Sequence, residues 1–125
     1  MPDQQEQPRD KVTGTPTEQP RGEVVFTRTE RSRDEAVLAV NGPLTDEVVE
    51  TFQLHLEELI AGGWPLVTLD FTKVKVISSR CIGKIMFLRM KLDEKKRSLR
   101  IGGCDPELYK SFKTMRLDFF MTISL

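Results

Sequence analysis

The sequence has too few histidines and cysteines for most catalytic or metal-binding sites. His55 is the only histidine, and Cys81 and Cys104 are the only cysteines and form no CxxC pair. Residues so few and so scattered make no recognisable zinc site. The chain also lacks a glycine-rich phosphate loop with a lysine and a nucleophile elbow. We therefore predict a protein that is not an enzyme and needs no metal or cofactor, with His55 solvated on a helix surface and both cysteines reduced in the core.

An excess of one charge and long apolar runs are lacking as well. The chain has 19 Lys and Arg against 19 Asp and Glu, so the formal net charge is +0. A balanced charge gives no reason to expect nucleic acid or an anionic membrane as a binding partner. No window resembles a signal-peptide core or a membrane span. The expected location is the cytoplasm.

The first 22 residues contain few apolar side chains that a folded core could bury. They are rich in Gln, Pro, Thr and charged residues, and Val12 is their only β-branched aliphatic residue. Such a segment cannot bury enough apolar surface to offset the entropy of ordering it. The sequence thus predicts a disordered polar tail at residues 1–22 and one domain at residues 23–125.

Two strands and a helix are predicted first. Residues 24–29 and 36–40 have strand composition, and the polar residues 30–34 between them indicate an antiparallel hairpin. Thr45 is a good helix N-cap, and Asp46 and Glu47 follow it in the first turn, where acids complement the helix dipole. The helix should bury one apolar stripe, formed by Val48, Val49, Phe52, Leu56, Leu59 and Ile60.

The second half of the chain repeats the alternation of strand and helix. A strand is predicted to begin at Leu66 and to be ended by Asp70 and Thr72, with a helix at residues 79–96 and a short strand at residues 99–101. The cations at residues 95–97 are expected to complement the C-terminal dipole of that second helix. Asp105-Pro106 predicts the start of a third helix, whose apolar stripe is Leu108, Phe112 and Met115. Residues 119–125 should close the domain as a strand.

The predicted order is β-β-α-β-α-β-α-β. Strands joined through helices are normally parallel, and each helix has one apolar face. The expected fold class is therefore α/β, with a mixed, mostly parallel sheet against which the helices pack.

A pair of hydroxyl residues precedes the second helix. Ser78 and Ser79 stand directly before an apolar pattern at helical spacing. A serine here ordinarily caps the helix by accepting a backbone N–H bond. The same position also suits a phosphate, because the free N–H groups and the dipole favour an anion. The residues themselves leave both roles open.

Residues 66–83, LVTLDFTKVKVISSRCIG, resemble a known family. They are similar to the segment L-D-L-S-x-V-x-F-I-D-S-S-G-L-G of STAS-domain anti-sigma factor antagonists. Leu69-Asp70 matches the first L-D, Val74 the V, Val76 the F position and Ile77 the I. Ser79 falls on the serine that these antagonists present for phosphorylation, and Ile82-Gly83 falls on the closing L-G.

The resemblance implies a STAS-like fold and a switchable protein-binding module. The unphosphorylated module would bind an anti-sigma factor that is a serine kinase, and so release a sigma factor. Phosphorylation of Ser79 would separate the two proteins, and a phosphatase would restore binding. The implied contact surface comprises Gly42, Thr45, Ser78, Ser79 and Arg80, on a chain that is a monomer or a weak dimer.

Three positions depart from the family pattern. Ser78 replaces Asp, Arg80 replaces the second Ser or Thr, and Cys81 replaces Gly. Phosphorylation on Ser78 is therefore an alternative to Ser79. A second interpretation drops the switch altogether, since STAS-like domains also serve as scaffolds in sensory assemblies and as adaptor subunits of membrane transport systems.

Overall fold

A computed structural model describes residues 24–125, which form a five-stranded sheet and three α-helices. The predicted tail at residues 1–22 lies outside the described residues. The strands are β1 (Val25–Ser32), β2 (Glu35–Asn41), β3 (Leu66–Lys73), β4 (Ser98–Gly102) and β5 (Thr122–Ile123). The helices are α1 (Val49–Ala61), α2 (Ser79–Glu94) and α3 (Pro106–Thr114). This order confirms the predicted β-β-α-β-α-β-α-β sequence of elements.

The sheet has its strands in chain order, β1-β2-β3-β4-β5. β1 is antiparallel to β2, as the predicted hairpin requires, and every later pair of neighbours is parallel. The topology is therefore a hairpin followed by three crossovers, each of which contains a helix. A mixed, mostly parallel sheet is confirmed.

The two faces of the sheet differ in chemistry. Leu38, Leu69, Ile101 and Ile123 pair in one row across four strands, and all four are buried. The helices add their apolar stripes to this row and complete the core. The adjacent row on the other face includes Val37, Thr68 and Arg100. There the Glu35 carboxylate accepts bonds from Thr68 Oγ1 at 2.8 Å and Arg100 Nη2 at 3.0 Å.

Two strand predictions need correction. Asp70 and Thr72 do not end β3, which continues to Lys73, because Phe71 is fully buried and Lys73 still pairs with Asn41. The predicted closing strand at residues 119–125 is mostly absent. Arg116 adopts the left-handed conformation, and a 3₁₀ helix, Leu117–Phe119, follows it. Only Thr122–Ile123 pairs with β4.

The helix predictions hold for most stripe residues and fail at some helix ends, where Val48 and Met115 lie outside α1 and α3. Thr45 makes no side-chain cap, because a 3₁₀ turn, Asp46–Val48, intervenes and α1 begins only at Val49. Met115 lies beyond the end of α3 and is 44% exposed, so it is not part of the apolar stripe. α2 ends at Glu94, two residues before the predicted end.

His55 is not the solvated residue that was predicted. Its ring stacks on Phe26 of β1, with the ring centroids 4.6 Å apart, and the side chain is half-buried. Burial lowers the pKa of His55, and Arg28 lowers it further, whereas nearby Glu58 raises it. The helical periodicity of α1 missed this contact because Phe26 comes from another strand.

Candidate functional site

The carboxyl ends of the parallel strands form one continuous edge, which we call the carboxyl edge: residues 41–45, 74–80 and 102–105. Its first two loops are joined by backbone hydrogen bonds. Leu44 N–H donates to Val76 O at 3.0 Å, and Ser78 N–H donates to Leu44 O at 2.8 Å. Gly42, whose φ of 129° suits glycine, donates to Lys73 O at 3.2 Å. The loop after β2 is thereby fixed beside the start of α2.

The structure gives the two serines different environments. Ser78 is the N-cap of α2: its Oγ accepts the Cys81 N–H at 3.2 Å, and the side chain is half-buried. Ser79 is the first residue of the helix and is exposed. Its hydroxyl has no hydrogen-bond partner among residues 24–125. The capping role therefore belongs to Ser78, and the Ser79 hydroxyl is accessible from solvent.

The start of α2 suits an anion. The first turn contains no acidic residue, and Arg80 lies exposed beside Ser79. Backbone N–H groups in a first helical turn have no acceptor inside the helix, and the dipole adds partial positive charge. A negative group on Ser79 would be close to these donors and to the Arg80 guanidinium.

A salt bridge connects the third loop of the carboxyl edge to the second. Lys75 Nζ lies 2.8 Å from Asp105 Oδ1, while Asp105 Oδ2 accepts the Glu107 N–H and so caps α3. The hydrogen bond from Lys75, and then the backbone bonds and the Lys75 charge, hold the pKa of Asp105 below its usual value despite an opposing effect of desolvation. The sequence showed the α3 cap, but not the partner of Asp105, because Lys75 is distant in the chain.

Both cysteines are free thiols buried in the core, as predicted. Cys81 Sγ donates to Thr45 O at 3.6 Å and so links the start of α2 to the loop after β2. Burial raises the pKa of Cys81, and burial followed by the charge of Asp105 raises the pKa of Cys104 to about 11. The thiols are thus protonated at neutral pH and unsuited to nucleophilic chemistry.

Four of the five residues predicted for partner binding lie together. The bond from Cys81 Sγ to Thr45 O places Thr45 beside the start of α2 with Ser78, Ser79 and Arg80, whereas Gly42, in the same loop as Thr45, bonds to Lys73 O at the end of β3. Their role in binding stays a prediction. Within residues 24–125, no group of His, Cys, Asp and Glu side chains is arranged to hold a metal ion, and no helix is long and apolar enough to cross a membrane.

Solved structures from several bacteria share this fold. An anti-sigma factor antagonist from Mycobacterium paratuberculosis superposes with a TM-score of 0.76 and 14% identity, over 85% of this chain and 89% of that one. The Bacillus cell fate determinant SpoIIAA in its phosphorylated form gives a TM-score of 0.64 and 18% identity, over 81% and 92% of the two chains. A sulfate transporter family protein from Wolinella succinogenes gives a TM-score of 0.66 and 14% identity, over 77% and 80%.

The sequence itself matches a family model. No curated protein matches it closely. The family model described as "Mlab, STAS domain" matches residues 27–122, which is most of the chain. Together with the sheet topology, this match shows that the chain belongs to the STAS domain family.

Proposed function

We propose that this STAS domain is an anti-sigma factor antagonist switched by phosphorylation. In its unphosphorylated form it binds an anti-sigma factor, a serine kinase, and thereby releases a sigma factor. The observation that carries the proposal is the exposed Ser79 hydroxyl at the first position of α2, beside Arg80. Support comes from the similarity to antagonists of known structure, one of them a phosphorylated form.

The geometry favours Ser79 over Ser78 as the phosphorylated residue. Ser78 Oγ is half-buried and accepts the Cys81 N–H, so a kinase would have to unfold the cap to reach it. The Ser79 hydroxyl can be modified without breaking a hydrogen bond to residues 24–125. Its phosphate would be stabilised by the helix N-terminus and by Arg80.

The switch acts through charge in a close interface. A phosphoryl group adds about −1.5 to −2 charges at neutral pH. On the free protein, those charges are solvated and stabilised by the helix start. Against a docked partner they lose water and repel nearby carboxylates, and the complex dissociates.

The rest of the proposed cycle follows from the same site. Thr45, Ser78 and Arg80 lie at the start of α2 with Ser79, and Gly42 lies in the same loop as Thr45; all four would contact the kinase together with Ser79. A cytoplasmic phosphatase would remove the phosphate and restore binding. The chain acts as a binding module, monomeric or weakly dimeric, rather than as an enzyme.

The test is a binding measurement with the anti-sigma factor kinase from the chain's own cells. Ser79→Ala should bind as well as the unmodified chain and should resist release by ATP. Ser79→Asp should weaken binding about tenfold or more, which corresponds to about 1.4 kcal/mol. Equal affinity of both variants for the kinase, or no affinity of the unmodified chain, would overturn the proposal.

A second candidate is an adaptor subunit of a transport system. It is favoured by the structural similarity to the sulfate transporter family protein. Co-purification with an ATP-binding transport subunit, in amounts that Ser79→Asp leaves unchanged, would support the adaptor. Co-purification with a sigma-factor kinase would support the antagonist.

A further inference from the structure

The solvent-facing side of α2 carries an apolar stripe that begins at Ser79. Gly83, Phe87 and Met90 follow Ser79 at steps of four, four and three residues, so the four share one helix face. The opposite face contains the buried residues Cys81, Ile85, Leu88 and Leu92. Phe87 is 40% exposed and Met90 is 45% exposed. The stripe therefore extends the serine site along the helix.

Gly83 has no explanation within the fold. A Cβ built on Gly83 would meet nothing within 4 Å, and its φ is not positive. A glycine inside a helix costs about 1 kcal/mol relative to alanine. Because the chain itself has room for a side chain, the missing Cβ leaves a shallow gap that another molecule can approach closely.

Positive charge is concentrated in the segment that contains the stripe, although the formal net charge of the whole chain is +0. Residues 71–92 contain no Asp or Glu, and their cations are Lys73, Lys75, Arg80, Lys84, Arg89 and Lys91. Lys75 pairs with Asp105, and Arg89 Nε donates to Phe120 O at 2.9 Å. Arg80 and Lys84 make no ion pair with any described residue. By helical spacing Arg80, Lys84 and Lys91 fall along one flank of the stripe, and Lys91 Nζ lies 4.0 Å from Glu94 Oε1.

We propose that this face of α2 docks an acidic amphipathic helix of the partner protein. Apolar side chains of that helix would cover Gly83, Phe87 and Met90, and its carboxylates would face Arg80 and Lys84. The inference rests on the proposed function, since it names the chemistry of the partner at the same site. It also explains why phosphorylation would weaken binding, because a phosphate on Ser79 neutralises Arg80 and repels the partner's carboxylates.

A photocrosslinking amino acid placed at position 87 or 90 of the full chain, in its own cells, tests the occupant, since both positions already hold large exposed side chains. We expect one partner protein from both positions, and its crosslinked peptides should be helical, apolar on one side and rich in Asp and Glu. A basic peptide, or no protein crosslink at either position, overturns the proposal. Binding of the purified chain to vesicles that contain anionic phospholipid, abolished by Lys84→Glu, would assign the face to a membrane and also overturn it.

Affinities for the crosslinked partner then test the apolar and the electrostatic parts of the docking face separately. Phe87→Ala and Lys84→Glu should each raise the dissociation constant about tenfold, and added salt should reduce the effect of Lys84→Glu. Matched controls are Leu54→Ala, an exposed leucine on α1, and Lys110→Glu, an exposed lysine on α3, which should change affinity less than about twofold. Losses as large in the controls would contradict the proposal.

The two proposals fail in different ways. If Ser79→Asp binds normally while Phe87→Ala and Lys84→Glu weaken binding, the docking face stands and the phospho-switch fails. If Ser79→Asp weakens binding while the α2 variants do not, the switch stands and the docking face fails. Unfolding midpoints in urea confirm that every variant is folded.

Discussion

The two ends of the parallel sheet are built in opposite ways. At the amino ends of the strands, the half-buried Arg97 guanidinium donates to three carbonyls: Trp64 O at 2.7 Å, Ile60 O at 2.9 Å and Leu59 O at 2.9 Å. At the carboxyl edge, backbone bonds and the Ser78 cap fix the loops and leave the Ser79 hydroxyl exposed. One end holds a charged side chain in hydrogen bonds to the backbone, whereas the other leaves a hydroxyl exposed to solvent at a helix start.

The amino end also shows where sequence reasoning stops. The cations at residues 95–97 fitted the dipole of α2, but Arg97 instead satisfies the last carbonyls of α1. Burial lowers the pKa of Arg97 only from a very high starting value, so it stays charged. A local pattern cannot distinguish the two helix ends, because the contact spans 37 and 38 positions of the chain.

Arg97→Ala should have the largest effect on stability. It removes three charge-assisted hydrogen bonds and leaves the α1 carbonyls without those donors, so we expect a loss of about 2 kcal/mol. Urea unfolding measures the change. Arg97→Lys should recover part of it, and Arg33→Ala, at an exposed turn, is the control with almost no change. A loss in Arg97→Ala no larger than in Arg33→Ala would show that the amino end is not held this way.

Gly103→Ala, at the carboxyl edge, should have the next largest effect on stability. Gly103 has a φ of 66°, and a Cβ there would collide with Thr72 Oγ1. We expect a loss of about 1 to 2 kcal/mol. Adding Thr72→Ala should recover the steric part only. Gly63→Ala, where a Cβ meets nothing within 4 Å, is the matched control; an equal loss there would contradict the explanation.

Replacing each of the two serines by alanine should have different effects on stability. Ser78→Ala removes the α2 cap and should cost about 1 kcal/mol. Ser79→Ala should change the free energy of unfolding by less than about 0.5 kcal/mol, as expected for an exposed site. Thermal or urea unfolding of both variants decides. The reverse order would mean that Ser79, not Ser78, caps the helix.

The smallest expected effect is a pH dependence from His55. Because its pKa is lowered in the fold, the unfolded chain binds more protons, so this contribution to stability is present above pH 6.5 and is lost as the pH falls below that value. Urea midpoints measured on both sides of pH 6.5 should therefore fall on acidification. The urea midpoint of the His55→Gln variant should fall less over the same pH interval. An identical pH profile in the variant would assign the effect to other groups.

Much of the fold was predictable because its signals are local. The stripe of α1, the Asp105-Pro106 start of α3 and the hairpin before Asn41 each depend on neighbouring residues. The missed features depend on contacts between distant segments, such as Lys75 with Asp105 and His55 with Phe26. The candidate serine site was predictable in position, but its division into a cap and a free hydroxyl depends on the helix beginning at Ser79.

The most direct test of the switch is the position of a phosphoryl group. The purified chain is incubated with ATP in an extract of its own cells, and intact mass followed by fragment-ion mapping locates the modification. We expect one phosphoryl group, on Ser79, which is absent in Ser79→Ala and retained in Ser78→Ala. A phosphoryl group on Ser78, or a chain that stays unmodified while it binds its partner, would contradict the account.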